Sequence, residues 1–204
     1  MIASTGIQLN DSELAALGER GFFVRDGVLG EDAARALHAE LAALAVSGAL
    51  RPAGVSRGAG YRRDAETRGD AIAWLEPAGP PDALEPLRGY LRGLRESLNH
   101  DAYLGLDRFE VQLAYYPGDG ARYRRHRDAA PGRGSRRVTA IYYLNPDWRP
   151  EAGGLLRLHV PDGPVDVEPT LGRLVVFLSE RVEHEVLPVA APRLAVTAWF
   201  HGRG

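Results

Sequence analysis

The sequence predicts a mainly β protein, a sandwich or jelly roll, with helices in its first half covering one sheet from outside. Two observations carry this. After residue 106 the chain breaks into short β-branched and aromatic runs: FEVQLAYYP, RVTAIYYLN, GGLLRLHV, VDVEP, RLVVFLS, HEVLPV and RLAVTAWFH. The turn sequences PGDG, PGRG, NPDW, EAGG and PDGP separate most of them. Before residue 106, two leucine-rich stretches repeat at helical spacing instead. With 204 residues the default is one domain, 1–204, in which residues 1–105 supply helices and a long loop and residues 106–204 the β core.

In chain order, Asn10-Asp11-Ser12 opens a short helix that Gly21 closes. FFVRDGVL (22–29) reads as a strand. Glu31 to Ser47 is a helix with Leu37, Leu41 and Leu44 on one face, and Gly48 is its stop. Residues 51–69 are polar and rich in Gly and Arg, a long loop of the kind that carries function. AIAWLEP is a strand. Asp82 and Glu85 form a D-x-x-E cap, and Leu84, Leu87, Leu91, Leu94 and Leu98 follow on a second long helix.

Composition narrows the function. A formal net charge of -2 does not point to nucleic acid or to an anionic membrane surface. No run approaches the ~20 apolar residues of a membrane span, and the N-terminus lacks a basic start followed by an apolar stretch. The expected setting is cytoplasmic. All 25 basic side chains are Arg, and there is no Cys, so a metal site must be built from His, Asp or Glu.

The stretch YPGDGARYRRHRD (116–128) holds such a start. On a strand, His126 and Asp128 point to one face. Of the other histidines, His38 and His100 read as surface or satisfied residues, and His159 and His201 as strand-face residues. His184, opening a later strand, is the candidate third ligand. Two imidazoles and one carboxylate leave open positions on an octahedral metal, the arrangement of non-haem Fe(II) oxygenases. Arg193 follows His184 by about one strand and a turn, which puts it on the neighbouring strand, deeper in the same cavity. A buried guanidinium calls for a carboxylate, and spacing alone leaves open a partner within the core. His126-Arg127-Asp128 also imitates a kinase catalytic loop, but no Asp-Phe-Gly accompanies it. Arg68-Gly69-Asp70 reads as structural, with Asp70 pairing an Arg.

Taken together, RGDAIAWLE (68–76), YPGDGARYRRHRD, RRVTAIYYLNPDW (136–148), GGLLRL (153–158), EPTLGRLVVFLSERVEHEVLPV (168–189) and PRLAVTAWF (192–200) resemble the 2-oxoglutarate- and Fe(II)-dependent prolyl hydroxylases of the hypoxia-inducible-factor type and their bacterial relatives. The resemblance implies a double-stranded β-helix, a jelly-roll form with supporting helices. It implies iron held by His126, Asp128 and His184, and 2-oxoglutarate held by Arg193 and Tyr143, with Tyr116 and Thr197 nearby. Arg137, Trp199 and Tyr123 would meet the substrate, and residues 51–66 would form a lid. Arg122, Arg124, Arg125, Arg133 and Arg136 would line a basic rim that meets a carboxylate-bearing peptide or protein, or equally form a solvated basic face. The implied cofactors are Fe(II), 2-oxoglutarate and O₂, with ascorbate in support. The implied substrate is a prolyl residue in a protein or peptide, elongation factor Tu being one candidate. Two alternatives stand beside it: hydroxylation of a free amino acid or other small molecule, and a catalytically silent metal-binding module.

Overall fold

The computed structural model describes residues 7–54, 64, 67–76, 78–130, 132 and 135–202. Two antiparallel sheets face each other. The major sheet runs β1 (Phe22–Arg25), β9 (Leu174–Leu178), β6 (Arg136–Tyr143), β11 (Arg193–Gly202), β4 (Leu106–Tyr116), β3 (Ala71–Leu75), β2 (Arg51–Pro52). The minor sheet runs β5 (Tyr123–His126), β10 (Glu183–Val186), β7 (Leu156–Val160), β8 (Gly163–Val167).

The predicted helices are α1 (Asp11–Glu19), α2 (Glu31–Val46) and α3 (Glu85–Asp101). All three pack on the outer face of the major sheet. Leu17, Leu37, Leu41, Leu87, Leu91, Leu94 and Leu98 share a core with Val138, Ala140, Tyr142, Val196, Ala198 and Phe200. The intervening strand residues face the minor sheet: Ile141, Tyr143 and Ala195 join Leu156, Leu158, Val175 and Phe177 in a second core. Strands buried on both faces have no polar side to show, which is why RVTAIYYLN and RLAVTAWFH read as near-continuous apolar runs.

Three local expectations change. The strand beginning at Phe22 ends at Arg25, and Gly27, with φ +69°, turns the chain away. Asp82 does not cap α3: it opens a single 3₁₀ turn with no side-chain cap, and Glu85 instead bonds Arg92 at 2.6 Å. A real capping box lies on α1, where Asn10 Oδ1 accepts from the Glu13 N–H at 2.9 Å and Glu13 accepts from the Asn10 N–H at 3.0 Å.

The stretch 51–69 is tied down at both ends. Arg51 and Pro52 pair with Ile72 and Ala71, and Arg68 bridges to Tyr123. Most of the expected lid, 51–66, lies outside the described residues. No helix of the described chain is long and apolar enough to cross a membrane.

Candidate active site

Between the sheets lies a cavity whose walls come from both. β11 contributes Arg193, Ala195, Thr197 and Trp199, every second residue of its inner face. β4 adds Gln112, Ala114 and Tyr116, and the minor sheet adds Tyr123, His126, Leu156, His184 and Val186.

His126 and His184 are directly opposed on β5 and β10, with ring centroids 4.3 Å apart. Asp128 reaches them differently from the expectation. β5 ends at His126, so the carboxylate comes from the bend beyond the strand end and not from strand alternation. One Asp128 oxygen lies 3.8 Å from His126 Nε2, and the other 3.8 Å from His184 Nε2. A ligand atom from each of the three residues lies within 4.8 Å of the others. His126 Nδ1 sits 2.8 Å from the Arg124 carbonyl and His184 Nδ1 3.4 Å from that of Val182. A proton on each Nδ1 satisfies those carbonyls and leaves each Nε2 lone pair for a metal. The Thr139 hydroxyl donates to Asp128 at 2.7 Å and lies 2.9 Å from Ser179 Oγ.

These contacts set the protonation states. Burial pushes the Asp128 carboxyl up, but the two imidazoles and the Thr139 hydroxyl outweigh it and hold the group below the usual carboxylate range. Burial, reinforced by His184, drives His126 down to about 4, so its ring is neutral at pH 7. An anionic carboxylate at Asp128 and a neutral imidazole at His126 are the ligand forms a divalent ion requires.

Deeper in the cavity stands Arg193, 3% exposed, its guanidinium 5.2 Å from the Tyr116 ring and 5.0 Å from the Tyr143 ring. Its Nε donates to the Gly154 carbonyl at 2.9 Å, and no carboxylate among the described residues pairs with it. Gly154 makes this approach possible: its φ is +69°, and a Cβ there would lie 2.8 Å from Arg193 Cδ. Arg193 is not on the strand beside His184. β11 belongs to the major sheet and β10 to the minor one, so the two side chains meet across the cavity. The Tyr143 hydroxyl is buried with no hydrogen bond of ordinary geometry among the described residues, and burial, partly offset by the nearby Arg193, pushes its pKa up to about 12. Burial likewise raises the Tyr116 hydroxyl.

Trp199 and Tyr123 line the cavity, whereas Arg137 does not. Arg137 shares the strand face of Thr139 but is exposed and packs on Gly202. Its neighbour Arg136 is the one that stacks on Trp199, at 4.0 Å, while pairing with Glu110 at 2.5 Å. Of the expected basic rim, Arg125 pairs with Glu183, a carboxylate it shares with Arg127. Arg133 lies outside the described residues. Arg68 and Asp70, expected as structural with Asp70 pairing an Arg, do pair, and they also stand in the cavity wall. They form a bidentate pair at 2.8 and 3.0 Å, and their spacing two apart before a strand was the available signal.

The described histidines outside the site have local partners. His38 Nδ1 meets the Leu144 carbonyl at 2.7 Å, and His159 meets Glu185 at 2.9 Å. His201 meets Ser135 at 2.7 Å, and the exposed His100 meets Asp101 at 2.7 Å.

Residues 111–201 match the family model of the 2OG-Fe(II) oxygenase superfamily. Human prolyl hydroxylase EGLN3 is 36% identical over 195 residues, covering 90% of this chain and 80% of its own. The chain belongs to the 2OG-Fe(II) oxygenases, among the prolyl hydroxylases. The crystal structure of a Pseudomonas putida prolyl-4-hydroxylase superposes on this oxygenase with a TM-score of 0.84 at 39% identity, covering 95% of this chain and 98% of that one. A Trichoplax adhaerens prolyl hydroxylase, solved with a hypoxia-inducible-factor peptide fragment, gives 0.81 at 29% identity, covering 93% and 87%. The match to human Egl nine homolog 1, 34% identical, spans 44% of that longer protein. The double-stranded β-helix of these relatives is the two-sheet arrangement described above. The family implies Fe(II), 2-oxoglutarate and O₂, and the donor set His126, Asp128 and His184 fits an iron ion.

Proposed function

We propose that this oxygenase hydroxylates a prolyl residue in a protein or peptide, using Fe(II), 2-oxoglutarate and O₂. The observation that carries the reading is Arg193, a buried cation with no carboxylate partner among the described residues, in the cavity that also holds the triad. A guanidinium so placed is stabilised by a carboxylate-bearing ligand. The orphaned Tyr143 hydroxyl beside it supplies a donor for the same group.

In this reading His126, Asp128 and His184 hold the iron, and Thr139 keeps Asp128 oriented and anionic. Arg193 and Tyr143 hold the distal carboxylate of 2-oxoglutarate, with Thr197 and Tyr116 shaping the pocket around it. Iron with 2-oxoglutarate and O₂ supplies the oxidising power: 2-oxoglutarate becomes succinate and CO₂, and one oxygen atom enters a C–H bond of the substrate. Trp199, with Arg136 stacked on it, forms the wall nearest the entrance, where a prolyl ring packs. Elongation factor Tu is the first protein substrate to test.

The test is succinate formation and a +16 Da mass gain on proline in a prolyl peptide or in elongation factor Tu, with Fe(II) and 2-oxoglutarate supplied. Asp128→Ala abolishes both on this reading. Succinate formation that persists in Asp128→Ala overturns the metal assignment, and hydroxylation confined to a residue other than proline overturns the substrate class.

A further inference from the structure

Of the two candidate imidazole ligands, His126 is held the less firmly by its sheet. Its side chain is 19% exposed, against 8% for Asp128 and 5% for His184. β5 is an edge strand of four residues, and its register with β10 comprises two pairs, His184 with His126 and Val186 with Tyr123. Between them a bulge sets Arg124 and Arg125 opposite Glu185 alone. That extra residue turns both Tyr123 and His126, three apart, toward the cavity.

The other side of β5 is fastened to the segment before β3. The Gly69 N–H donates to the Arg122 carbonyl at 2.9 Å, and the Arg124 N–H to the Thr67 carbonyl at 2.9 Å. A Cβ on Gly69 would lie 2.9 Å from that of Ala121, so glycine permits the approach. The side chains then stack. The Arg68 guanidinium lies 4.5 Å from the Tyr123 ring centroid, and that ring lies 3.7 Å from the His126 imidazole, at 20° to it. Two groups this close to one ring centroid occupy opposite faces. Arg68 is itself locked, bidentate to Asp70 and 3.2 Å from Gln112 Oε1. Asp70 and Gln112 are each 3% exposed, and Gln112 lies on β4 of the major sheet.

We propose that the column Arg68–Tyr123–His126 is a positioning device that carries the rigidity of the major sheet to the loosest ligand of the minor one. Arg68 and Tyr123 are its positioning residues. The inference rests on the assignment of His126 as a metal ligand. The hydrogen bond at Nδ1 fixes the tautomer of His126 but leaves the ring free to tilt about that contact, and the stacked Tyr123 ring removes the tilt. With both faces covered, Tyr123 offers a substrate only its edge and hydroxyl. Outer partners that orient ligands in this way contribute roughly ten- to a hundredfold to metal affinity.

The experiment titrates the metal-free protein with Co(II), reading affinity and the visible d–d spectrum, with thermal melting of each metal-free variant alongside. Tyr123→Phe, which keeps the stack, binds Co(II) within about twofold of the parent. Tyr123→Leu and Arg68→Met lose roughly ten- to a hundredfold and shift the d–d bands. If Arg68→Met does not melt cooperatively, Arg68→Lys carries the test, because it keeps the charge but loses the planar bidentate contact. Parent-like affinity and spectrum in Tyr123→Leu and the Arg68 variant overturn the column. His126→Ala separates the two readings: undiminished Co(II) binding there overturns the metal site itself.

Discussion

At the scale of single residues, the site rests on a few groups whose protonation is set by burial and near neighbours. On the reading proposed above, Arg193→Ala removes the buried cation that meets the distal carboxylate of 2-oxoglutarate. Truncating one partner of a buried charge-assisted contact costs about 2–5 kcal/mol, so 2-oxoglutarate affinity falls by roughly a hundredfold while Co(II) affinity stays near that of the parent. Isothermal titration of both ligands checks this, and unchanged 2-oxoglutarate affinity removes Arg193 from the role. The histidines give a pH signature. His126 titrates at about 4 in the fold against 6.5 ordinarily, because burial and His184 disfavour its charged form. The unfolded chain therefore binds the proton more readily, and the metal-free protein loses stability as pH falls from 6.5 toward 4. Burial lowers His201 as well, so it acts in the same direction, and Asp128, held low by the imidazoles, adds its loss at lower pH. Melting temperatures across this range fall in the parent, and His126→Gln removes part of the slope. The convergence of His126, Asp128 and His184 was legible in the sequence because a chain without Cys has few side chains with which to hold a metal. The sheet that carries Arg193 was not legible, because spacing along the chain does not say which sheet a returning strand joins.

At the scale of elements, short and irregular pieces defeated the reading while long periodic ones did not. α2, α3 and the apolar strands follow from spacing alone. β5 does not: its four polar residues, YRRH, resemble a loop, and the bulge that turns Tyr123 and His126 to one side leaves no mark in the sequence. Asp82 and Glu85 matched a cap by spacing, yet the chain there tightens into a 3₁₀ turn and Glu85 meets arginines of α3 instead. Two variants distinguish elements that hold the fold from those that shape the site. Asn10→Ala breaks the capping box of α1 and destabilises the protein by about 1 kcal/mol, with 2-oxoglutarate affinity unchanged. Gly154→Ala places a methyl 2.8 Å from Arg193 Cδ at a φ of +69°. It destabilises by about 1–3 kcal/mol and weakens 2-oxoglutarate binding as well. Denaturant melts paired with 2-oxoglutarate titrations read both effects. Equal 2-oxoglutarate affinity in Gly154→Ala and the parent would show that the close approach matters to folding alone.

At the scale of the whole molecule, the question is what enters the cavity from outside. The helices cover the outer face of the major sheet and the minor sheet lies on its other side, and among the candidate ligands the most exposed is His126, at 19%. Beside the cavity residue Trp199 lie Trp74, 42% exposed and 5.6 Å from Trp199 by ring centroid, and Arg136 stacked on Trp199. Aromatic rings and a guanidinium in such a place favour an extended polypeptide, because Trp and Arg dominate protein-binding surfaces. A free amino acid would leave this rim unused. Turnover therefore rises from free L-proline to a prolyl peptide to intact protein, measured as succinate formed at equal proline concentration. Trp74→Ala lowers kcat/KM for the protein by roughly tenfold, the loss of more than about 1 kcal/mol that marks a binding anchor. It leaves 2-oxoglutarate affinity near that of the parent, since Trp74 is not among the residues that line the cavity around Arg193. Fastest turnover of free proline, with no effect of Trp74→Ala on any substrate, would replace the protein substrate with a small molecule.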